Sequence, residues 1–518
     1  MLIELLFAAV VTCFGWYVWR RRRILRLSNK LKNKFRAYPL VGHGYMFSGS
    51  DEDRMTAFKT FGLEAIKNNG VTSLWFGNDY YTLIADAAIA ETVVKTCLEK
   101  SHLTEVLKHL LENGSIFAPV KIWRPRRKVV APTFSQRNLQ AFVEVFSQQS
   151  SVLADQLGLM AGKGPFSIWK YFTTFTMDSV CETALGVKVN AQTQPDTPFL
   201  NAFDEYCELI AARMCQPWLR IEALYKLLPD SVKLEKNKKY ICDYVDKVVR
   251  AKRNEQRQMA SSDEVNCAVS SFKPFLDLII ESSGGKHGFT DNELREETLV
   301  IVLAGTDTSA VGAAFTSVVL SRYMDVQEKV FEELCEAFGD SDKPVVPGDL
   351  PKLKYLEAVI RESMRLYTPV PIIARKLDKD VTLPSGLTLV KDSGVVINIW
   401  ALHRNPLYWG KDAEEFKPER FLEGPLQHPA AFMPFSYGSR NCLGYQYAMM
   451  VMKTALATVL RRYRLLPPTA MSSEELRKPL RVKYDIMMRN VDNYMVRLEP
   501  RINSRLVKVR SEEKVQSG

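Results

Sequence analysis

The sequence predicts a mainly α-helical fold with a smaller β region, and the spacing of its apolar residues is the main evidence. Apolar residues recur with helical periodicity in four long stretches, at residues 137–163, 196–260, 291–337 and 353–367. Strand signals are fewer: Val71 to Leu83 alternates around an Asn78-Asp79 turn, and Val381 to Ile399 has the pattern of two strands around a turn. The 518 residues are 46% hydrophobic and 25% charged, which excludes disorder, collagen and a small disulfide scaffold.

The N-terminal residues are predicted to anchor the chain in a membrane. Between Leu2 and Trp19 only Glu4 is charged. A helix of this length spans roughly 27 Å, enough for a thin bilayer. The run Arg20 to Arg23 follows the apolar segment, so it predicts a cytosolic body. A cleaved signal peptide would carry its positive charge before that segment, so we expect an uncleaved helix, and a buried core helix is the alternative.

The net charge of +11 is confined to the two ends of the chain. Residues 1–50 carry nine basic side chains and one acidic one, residues 501–518 carry five and two, and the remainder sums to zero. This distribution predicts no nucleic-acid partner. We expect a membrane anchor at 1–22, a basic linker or hinge at 23–50, a catalytic domain at 51–502 and a flexible tail at 503–518. The linker either contacts anionic headgroups or is solvated.

One of the nine cysteines differs from the others. The cysteines are scattered without a CxxC pair, which predicts a reducing compartment, no disulfide framework and no zinc site. Cys442, however, lies in a loop with two glycines that leads into a helix. A helix N-terminus and exposed backbone N–H groups favour the thiolate, the form in which sulfur ligates a metal. From these residues alone, a buried structural cysteine and a metal ligand are both open.

The loop around Cys442 resembles the haem-binding loop of the cytochrome P-450 family. The matching positions are Phe435, Gly438, Arg440, Cys442 and Gly444. The resemblance implies the cytochrome P-450 fold with an N-terminal transmembrane helix, haem b as cofactor and Cys442 as the proximal ligand of the haem iron. It also implies that Phe435 packs under the haem, that Gly444 permits a close approach and that Arg440 meets the anionic haem edge.

A second matching segment, Ala304 to Thr308, lies inside an apolar helical pattern. Gly305 costs such a helix about 1 kcal/mol, which indicates either a groove or close helix packing. The resemblance places Ala304 at the distal face of the haem and implies that Asp307 and Thr308 are catalytic, since they manage protons for bound dioxygen. Many relatives carry a glutamate covalently linked to the haem at the position of Ala304, so no such link is expected here.

A third resemblance concerns the haem propionates. The pattern Trp123-x-x-x-Arg127 matches a family segment that binds them, and Arg375 matches another such position more loosely. The surrounding basic residues form either a docking site for an acidic electron donor or a solvated face, and they are Arg124, Arg126 and Lys128.

A fourth resemblance is structural rather than catalytic. It implies that Glu362, Arg365 and Arg420 join in a buried network. Residues 178–186, 213–219 and 402–406 look like the microsomal branch that contains the fatty-acid ω-hydroxylases, family 4. Candidates for the distal pocket are apolar or small and suit a lipophilic ligand without selecting one; they are Ile116, Phe117, Val300, Ala304, Val370, Ile372 and Ile373.

The function implied is that of a haem-thiolate monooxygenase in the endoplasmic reticulum membrane, with a cytosolic catalytic domain. It would insert one atom of O2 into a lipophilic substrate, using electrons from NADPH. NADPH-cytochrome P-450 reductase is the expected donor and cytochrome b5 an optional second one, because the chain has no GxGxxG fingerprint of its own. The alternatives are a haem-thiolate isomerase or dehydratase, and a non-catalytic haem-binding protein.

Overall fold

The computed structural model describes residues 2–31, 33–194, 198–259, 273–283, 288–339 and 341–501. The predicted tail at 503–518 lies outside them. The helices are α1 (Leu2–Lys30), α2 (Asp51–Lys67), α3 (Ala87–Thr96), α4 (Lys108–Leu111), α5 (Val120–Val130), α6 (Gln136–Gly158), α7 (Trp169–Val180), α8 (Pro198–Cys215), α9 (Glu222–Tyr225), α10 (Pro229–Met259), α11 (Phe275–Ser282), α12 (Asp291–Arg322), α13 (Met324–Phe338), α14 (Lys354–Leu366), α15 (Ile399–Leu402), α16 (Pro406–Trp409), α17 (Tyr445–Arg462) and α18 (Ser473–Arg477).

The strands form small sheets beside the helices. They are β1 (Val71–Phe76), β2 (Asp79–Ile84), β3 (Phe166–Ser167), β4 (Ile372–Lys376), β5 (Val381–Thr382), β6 (Thr388–Leu389), β7 (Gly394–Asn398), β8 (Tyr463–Leu466), β9 (Val482–Asp485), β10 (Met487–Asn490) and β11 (Met495–Pro500). The largest sheet has the order β1-β2-β7-β4, in which only β2 and β7 are parallel. The other sheets pair β3-β11-β8, β9-β10 and β5-β6. The fold is therefore mainly helical with small sheets, as predicted.

Helix α12 runs through the middle of the helical body, packed against α7, α10, α14 and α17. It begins at a capping box, in which Thr290 and Glu293 each bind the other's backbone N–H. Every residue from Ser309 to Ser321 is buried. A Cβ added at Gly312 would lie 2.6 Å from the Met452 sulfur, so a glycine lets α12 and α17 approach closely here. Residues of α12 that precede this contact, among them Val300 and Ala304, line a cavity.

The predicted elements agree with the structure, except that two of the predicted helical stretches are divided into shorter helices. The hairpin at Val71 to Leu83 is confirmed, with β1 and β2 antiparallel from Val71 opposite Ile84 to Phe76 opposite Asp79. The helical stretch predicted at 196–260 contains three helices, because α8 ends at Cys215 and Pro217 begins a short 3-10 turn before α9 and α10. Proline lacks the N–H and clashes with the preceding turn of a helix. The pattern at 291–337 likewise divides into α12 and α13, at Tyr323.

The N-terminal helix is continuous with the body. Helix α1 crosses the predicted boundary between residues 22 and 23, and its last turns touch the largest sheet. Leu27 is 3% exposed, and the Trp75 indole N–H donates to the Ser28 hydroxyl at 3.0 Å. Within the described ranges, one helix is long and apolar enough to cross a membrane; it is α12, and 72% of its apolar window is buried inside the protein. The anchor at 1–22 stays a prediction.

Candidate functional site

A cavity of about 300 Å³ lies between helix α12 and the loop that carries Cys442. Val300, Ala304 and Thr308 line it from α12, because residues spaced by three, four or seven positions share one helix face. Phe435 and residues 441–444 line it from the opposite side. The structure therefore brings the two strongest sequence motifs to the two walls of one cavity, although they lie more than 120 residues apart in the chain.

The loop before α17 presents the Cys442 sulfur to this cavity. Gly438 has φ +75, and a Cβ there would come within 3.2 Å of the Val94 carbonyl oxygen, so the tight turn favours glycine. The Cys442 N–H donates to the Phe435 carbonyl at 2.8 Å, which closes the loop. The Cys442 side chain is exposed to the space of the cavity that it lines.

Two groups offset the effect of burial on this thiol. Burial raises the pKa of Cys442, whereas a hydrogen bond from the Gly444 N–H and the charge of Arg127 lower it. Arg127 also holds the loop in place: its two terminal nitrogens donate to the carbonyl oxygen and the side-chain oxygen of Asn441, at 2.9 and 2.8 Å. Predicted as a propionate ligand, Arg127 lines the cavity with its guanidinium already bound to the cysteine loop.

Three cations meet at one edge of the cavity, and none of them forms an ion pair with an acidic side chain of the described residues, although the charge of Glu99 acts on Arg440. Arg375 and Arg440 are 1% and 7% exposed, yet the Nε of Arg375 and both Nε and Nη1 of Arg440 have no hydrogen-bond partner. Burial lowers the pKa of both guanidinium groups to about 10, and for Arg440 the charge of Arg375 adds to the effect. Lys100 lines the same edge, where burial and then these two arginines hold its pKa well below 10.5.

This cationic edge fits the two carboxylates of a haem. A buried guanidinium with unused donors is costly unless an anion completes it. An isolated bridge between Lys100 and Arg375 fixes the backbones of both, and the Arg440 guanidinium lies 4.4 Å from the centre of the Trp123 ring. Trp123 itself lines the cavity. A thiol on one side, guanidinium groups with unused donors at the edge and an apolar space between them are together what a haem requires.

Lys100 is a residue of this edge that the sequence motifs do not include. It follows α3 and lies outside the matching segments. Its role depends on the pairing of its backbone with that of Arg375, 275 positions further along the chain. No local signal in the sequence could have indicated that approach.

Of the two residues predicted to handle protons, Thr308 lines the cavity and Asp307 does not. The Thr308 hydroxyl lines the cavity and donates to the Ala304 carbonyl at 2.7 Å. Asp307 does not line it, because consecutive helix residues are about 100° apart. Its carboxylate instead accepts a hydrogen bond from Arg489 at 2.8 Å. Arg489 is thus a second residue that the motifs missed, and the proton-handling role of Asp307 stays a prediction.

The apolar pocket candidates divide into two groups. Ile116, Val300, Val370 and Ile373 line the cavity together with Ala304, whereas Phe117 and Ile372 do not. Ile372 and Ile373 are consecutive on β4, so their side chains point to opposite faces of the sheet. Phe117 lies just outside, where its ring is 5.6 Å from the Lys100 ammonium.

The basic cluster on α5 also divides. Arg124 and Lys128 are exposed, but Arg126 is buried and pairs with Glu296 at 2.7 Å and with Glu297 at 3.3 Å. Arg126 therefore joins α5 to α12 and is not part of a solvated or docking surface.

The three residues expected to form a structural network do meet. Glu362 and Arg365 are both 0% exposed and their side chains pair at 2.7 Å. Arg420 approaches the same carboxylate at 3.5 Å. The trio lies away from the cavity, since none of its members is a lining residue.

Comparison with known proteins agrees with this arrangement. The family model for Cytochrome P450 matches residues 35–493. The chain belongs to the cytochrome P450 family. Cytochrome P450 4d2 of Drosophila melanogaster is 30% identical over 510 residues, which cover 96% of this chain and 98% of that protein. Cytochrome P450 4V2 of Homo sapiens is 30% identical over 475 residues, 90% and 89% of the two chains. Cytochrome P450 4c21 of Blattella germanica is 28% identical over 472 residues, 89% and 92%.

These relatives make the chain a family 4-like cytochrome P450 monooxygenase, an enzyme class that uses haem iron and O2. The predicted family and enzyme class are confirmed. The guanidinium groups with unused donors and the Cys442 sulfur at the cavity fit a haem independently of these relatives.

Proposed function

We propose that this P450 is a membrane-bound monooxygenase that oxidises a lipophilic substrate with electrons delivered from NADPH by a separate reductase. The observation that carries the proposal is the position of the Cys442 sulfur, which faces the cavity opposite Ala304 and Thr308. When bound there, a thiolate-ligated haem uses O2, two electrons and two protons to insert one oxygen atom into the substrate and release the other as water.

Each wall of the cavity has a distinct task. Cys442 would ligate the iron and Phe435 and Gly444 would support the ring, while Arg127 holds the cysteine loop through Asn441. Lys100, Trp123, Arg375 and Arg440 would hold the propionates. Thr308 presents its hydroxyl to the distal space as a proton donor, and Asp307 supplies protons from behind it.

The distal space favours a lipophilic substrate. The side chains above the expected haem plane are apolar at Ile116, Val300, Val370 and Ile373, so burial of apolar substrate surface supplies the affinity. The carboxylate of Glu297 also reaches the lining, but it accepts from the Ser115 N–H and pairs with Arg126. Fatty acids, isoprenoids, steroids and foreign lipophilic compounds all suit this lining.

Electrons are proposed to enter near α5. Lys121, Arg124 and Lys128 are exposed on the helix whose Arg127 touches the cysteine loop. An acidic protein docked on these three cations lies close to Cys442 in the fold. The partner expected there is NADPH-cytochrome P450 reductase. Cytochrome b5, the optional second donor, would also need an acidic surface to dock on these cations.

The membrane is proposed to contact the body as well as the N-terminal anchor, with the endoplasmic reticulum as its location. The connection between α8 and α10, together with the first turn of α10, exposes apolar side chains at Ile221, Leu224, Leu227, Leu228 and Val232. Pro217 at the start of this connection lies against Gly44, so the exposed Leu40 and Tyr45 belong to the same surface. An exposed apolar patch that continues from a predicted anchor is suited to a bilayer.

The proposed reaction is tested by oxygen labelling. The full-length protein, reconstituted with a reductase and NADPH, is given 18O2 and a panel of lipophilic compounds. We expect one labelled oxygen atom in the product, strict dependence on NADPH and no product from Cys442→Ser. Rearrangement without NADPH would indicate an isomerase, and haem binding without product from any panel member would indicate a binding protein; either result contradicts the proposal.

A further inference from the structure

The acid proposed to supply protons is held by a buried ion pair outside the cavity. The Oδ2 atom of Asp307 on α12 accepts from Nη2 of Arg489 on β10 at 2.8 Å. The two side chains are 3% and 9% exposed, so water competes little for either. An Asp307 carboxylate fixed in this way is not free to turn toward the distal space.

Arg489 serves a second carboxylate with the same nitrogen. Nη2 also donates to Oδ1 of Asp204, on helix α8, at 3.1 Å. Nη1 of Arg489 is buried and has no hydrogen-bond partner. The guanidinium carbon lies 4.1 Å from the centre of the Trp169 ring, which supports the plane of the group. One guanidinium thus joins α8, α12 and the C-terminal hairpin and retains an unused donor.

The unused donor allows a second arrangement. A guanidinium binds a carboxylate best through two parallel N–H groups. The Asp204 side chain is 47% exposed and has room to adjust, whereas Asp307 is fixed in the helix core. If Asp204 accepts from both Nη1 and Nη2, Asp307 loses its partner and is released. The two carboxylates therefore compete for Arg489.

We propose that Arg489 is a positioning residue for oxygen activation, and that Asp204 tunes it by competing with Asp307 for the guanidinium. Because Asp204 belongs to α8 and Asp307 to α12, the relative position of these two helices sets how firmly the acid is held. The inference rests on the proposed function, since it concerns proton supply to the same site.

The electrostatic environment of Asp307 supports a role in proton exchange. Burial raises its pKa to about 6, Arg489 opposes that shift, and Asp204 and Asp485 add to it. The other titratable groups that face this cluster are the sulfur of Cys207 on α8, the phenol of Tyr494 and the ammonium of Lys483, whose charge acts on Asp204. Loss of the Asp204 charge therefore has two effects in the same direction: it leaves Arg489 to Asp307 alone, and it favours the ionised carboxylate.

The test is the Asp204→Asn variant of the full-length protein, reconstituted with a reductase. NADPH consumption is measured in H2O and in D2O, with and without dodecanoic acid, since the oxidase cycle consumes NADPH whether or not this probe is oxidised. We expect the rate to fall about threefold or more, as loss of part of a general acid–base contribution would cause. We also expect a larger solvent isotope effect and an acid limb displaced to lower pH, with haem content and the reduced carbon monoxide spectrum unchanged.

Two further variants keep the result specific. Asp204→Glu retains a carboxylate and should restore the wild-type isotope effect. Arg481→Gln removes an exposed arginine that precedes the same hairpin and pairs with Glu52, and it should change nothing. The inference is overturned if Asp204→Asn matches the wild type, or if it loses haem and activity without a change in isotope effect. If the wild-type protein consumes no NADPH with the reductase, the result contradicts the proposed function itself and not only the role of Asp204.

Discussion

Two buried arginines ten positions apart show how a structural site differs from a ligand site in this P450. Arg365 is 0% exposed and its five N–H groups all have acceptors: both oxygens of Glu362 and the carbonyls of His403, Ala413 and Glu415. Arg375 is 1% exposed, yet its hydrogen bond to protein goes to the Ala374 carbonyl and its Nε has no partner.

The difference teaches that unmet hydrogen-bonding capacity, rather than burial or charge, marks the place of a missing anion. Folding desolvates both guanidinium groups at a similar cost. At Arg365 the hydrogen bonds to a carboxylate and to backbone carbonyls offset that cost. At Arg375 the protein supplies too few acceptors to offset it. Arg440 repeats the second pattern at the same edge of the cavity, and Lys100 adds a third cation there. The opposite consequences of removing each residue are therefore predictable.

The largest effect is expected at Arg365. Arg365→Ala leaves Glu362 as a buried carboxylate whose remaining cationic neighbour, Arg420, is 3.5 Å away. The free energy of unfolding should fall by about 3–5 kcal/mol, the usual cost of breaking a buried pair. Denaturant unfolding monitored by circular dichroism measures it. A loss below about 1 kcal/mol, the range of an exposed ion pair, would contradict the structural role assigned to Arg365.

The next effect is expected at Arg375, and it has the opposite sign in the haem-free protein. Arg375→Leu removes an unpaired buried charge, so the haem-free protein should gain about 1 kcal/mol or more of stability. The affinity for haem should fall about 10- to 100-fold, because a hydrogen bond to a charged group contributes about 1.5–3 kcal/mol.

A haem titration and denaturant unfolding measure the two quantities on the same protein. Lys376→Met, at the neighbouring position of β4, is the matched control and should change neither. If Arg375→Leu destabilised the haem-free protein as Arg365→Ala does, Arg375 would be a structural residue and the distinction would fail.

A smaller effect is expected at Lys100 and appears in the pH dependence of stability. Burial and the two arginines lower its pKa well below 10.5 in the folded protein. Between that lowered value and 10.5 the unfolded chain binds more protons, so the haem-free protein should become more stable as pH rises through this window. Lys100→Met should flatten the rise. Unfolding midpoints measured across the alkaline range test it, and an unchanged slope would remove Lys100 from the cationic edge.

Local motifs predicted the parts of the site that are close in the chain. Several residues of the segment Phe435 to Gly444 and of the segment Ala304 to Thr308 line the cavity, because a loop and a helix face are determined by neighbouring residues. The helical class of the fold and the hairpin of β1 and β2 follow from periodicity for the same reason.

Partners that are distant in the chain could not be predicted. Arg126 and Arg127 are adjacent, yet one is paired with glutamates of α12 and the other with Asn441 of the cysteine loop. Consecutive side chains on a helix point about 100° apart, so the sequence predicts that these two arginines have different surroundings. Only the packed fold shows which residues each of them contacts. The partner of Asp307 is likewise 182 positions away, at Arg489.

The most direct test of the account is the spectrum of the reduced carbon monoxide complex of Cys442→Ser beside that of Cys335→Ser. Cys335 is an exposed cysteine on α13 and serves as the matched control. We predict that the red-shifted Soret band of a thiolate-ligated haem is present in the wild type and in Cys335→Ser and absent in Cys442→Ser. A Cys442→Ser protein that keeps this band would contradict the assignment of the haem ligand.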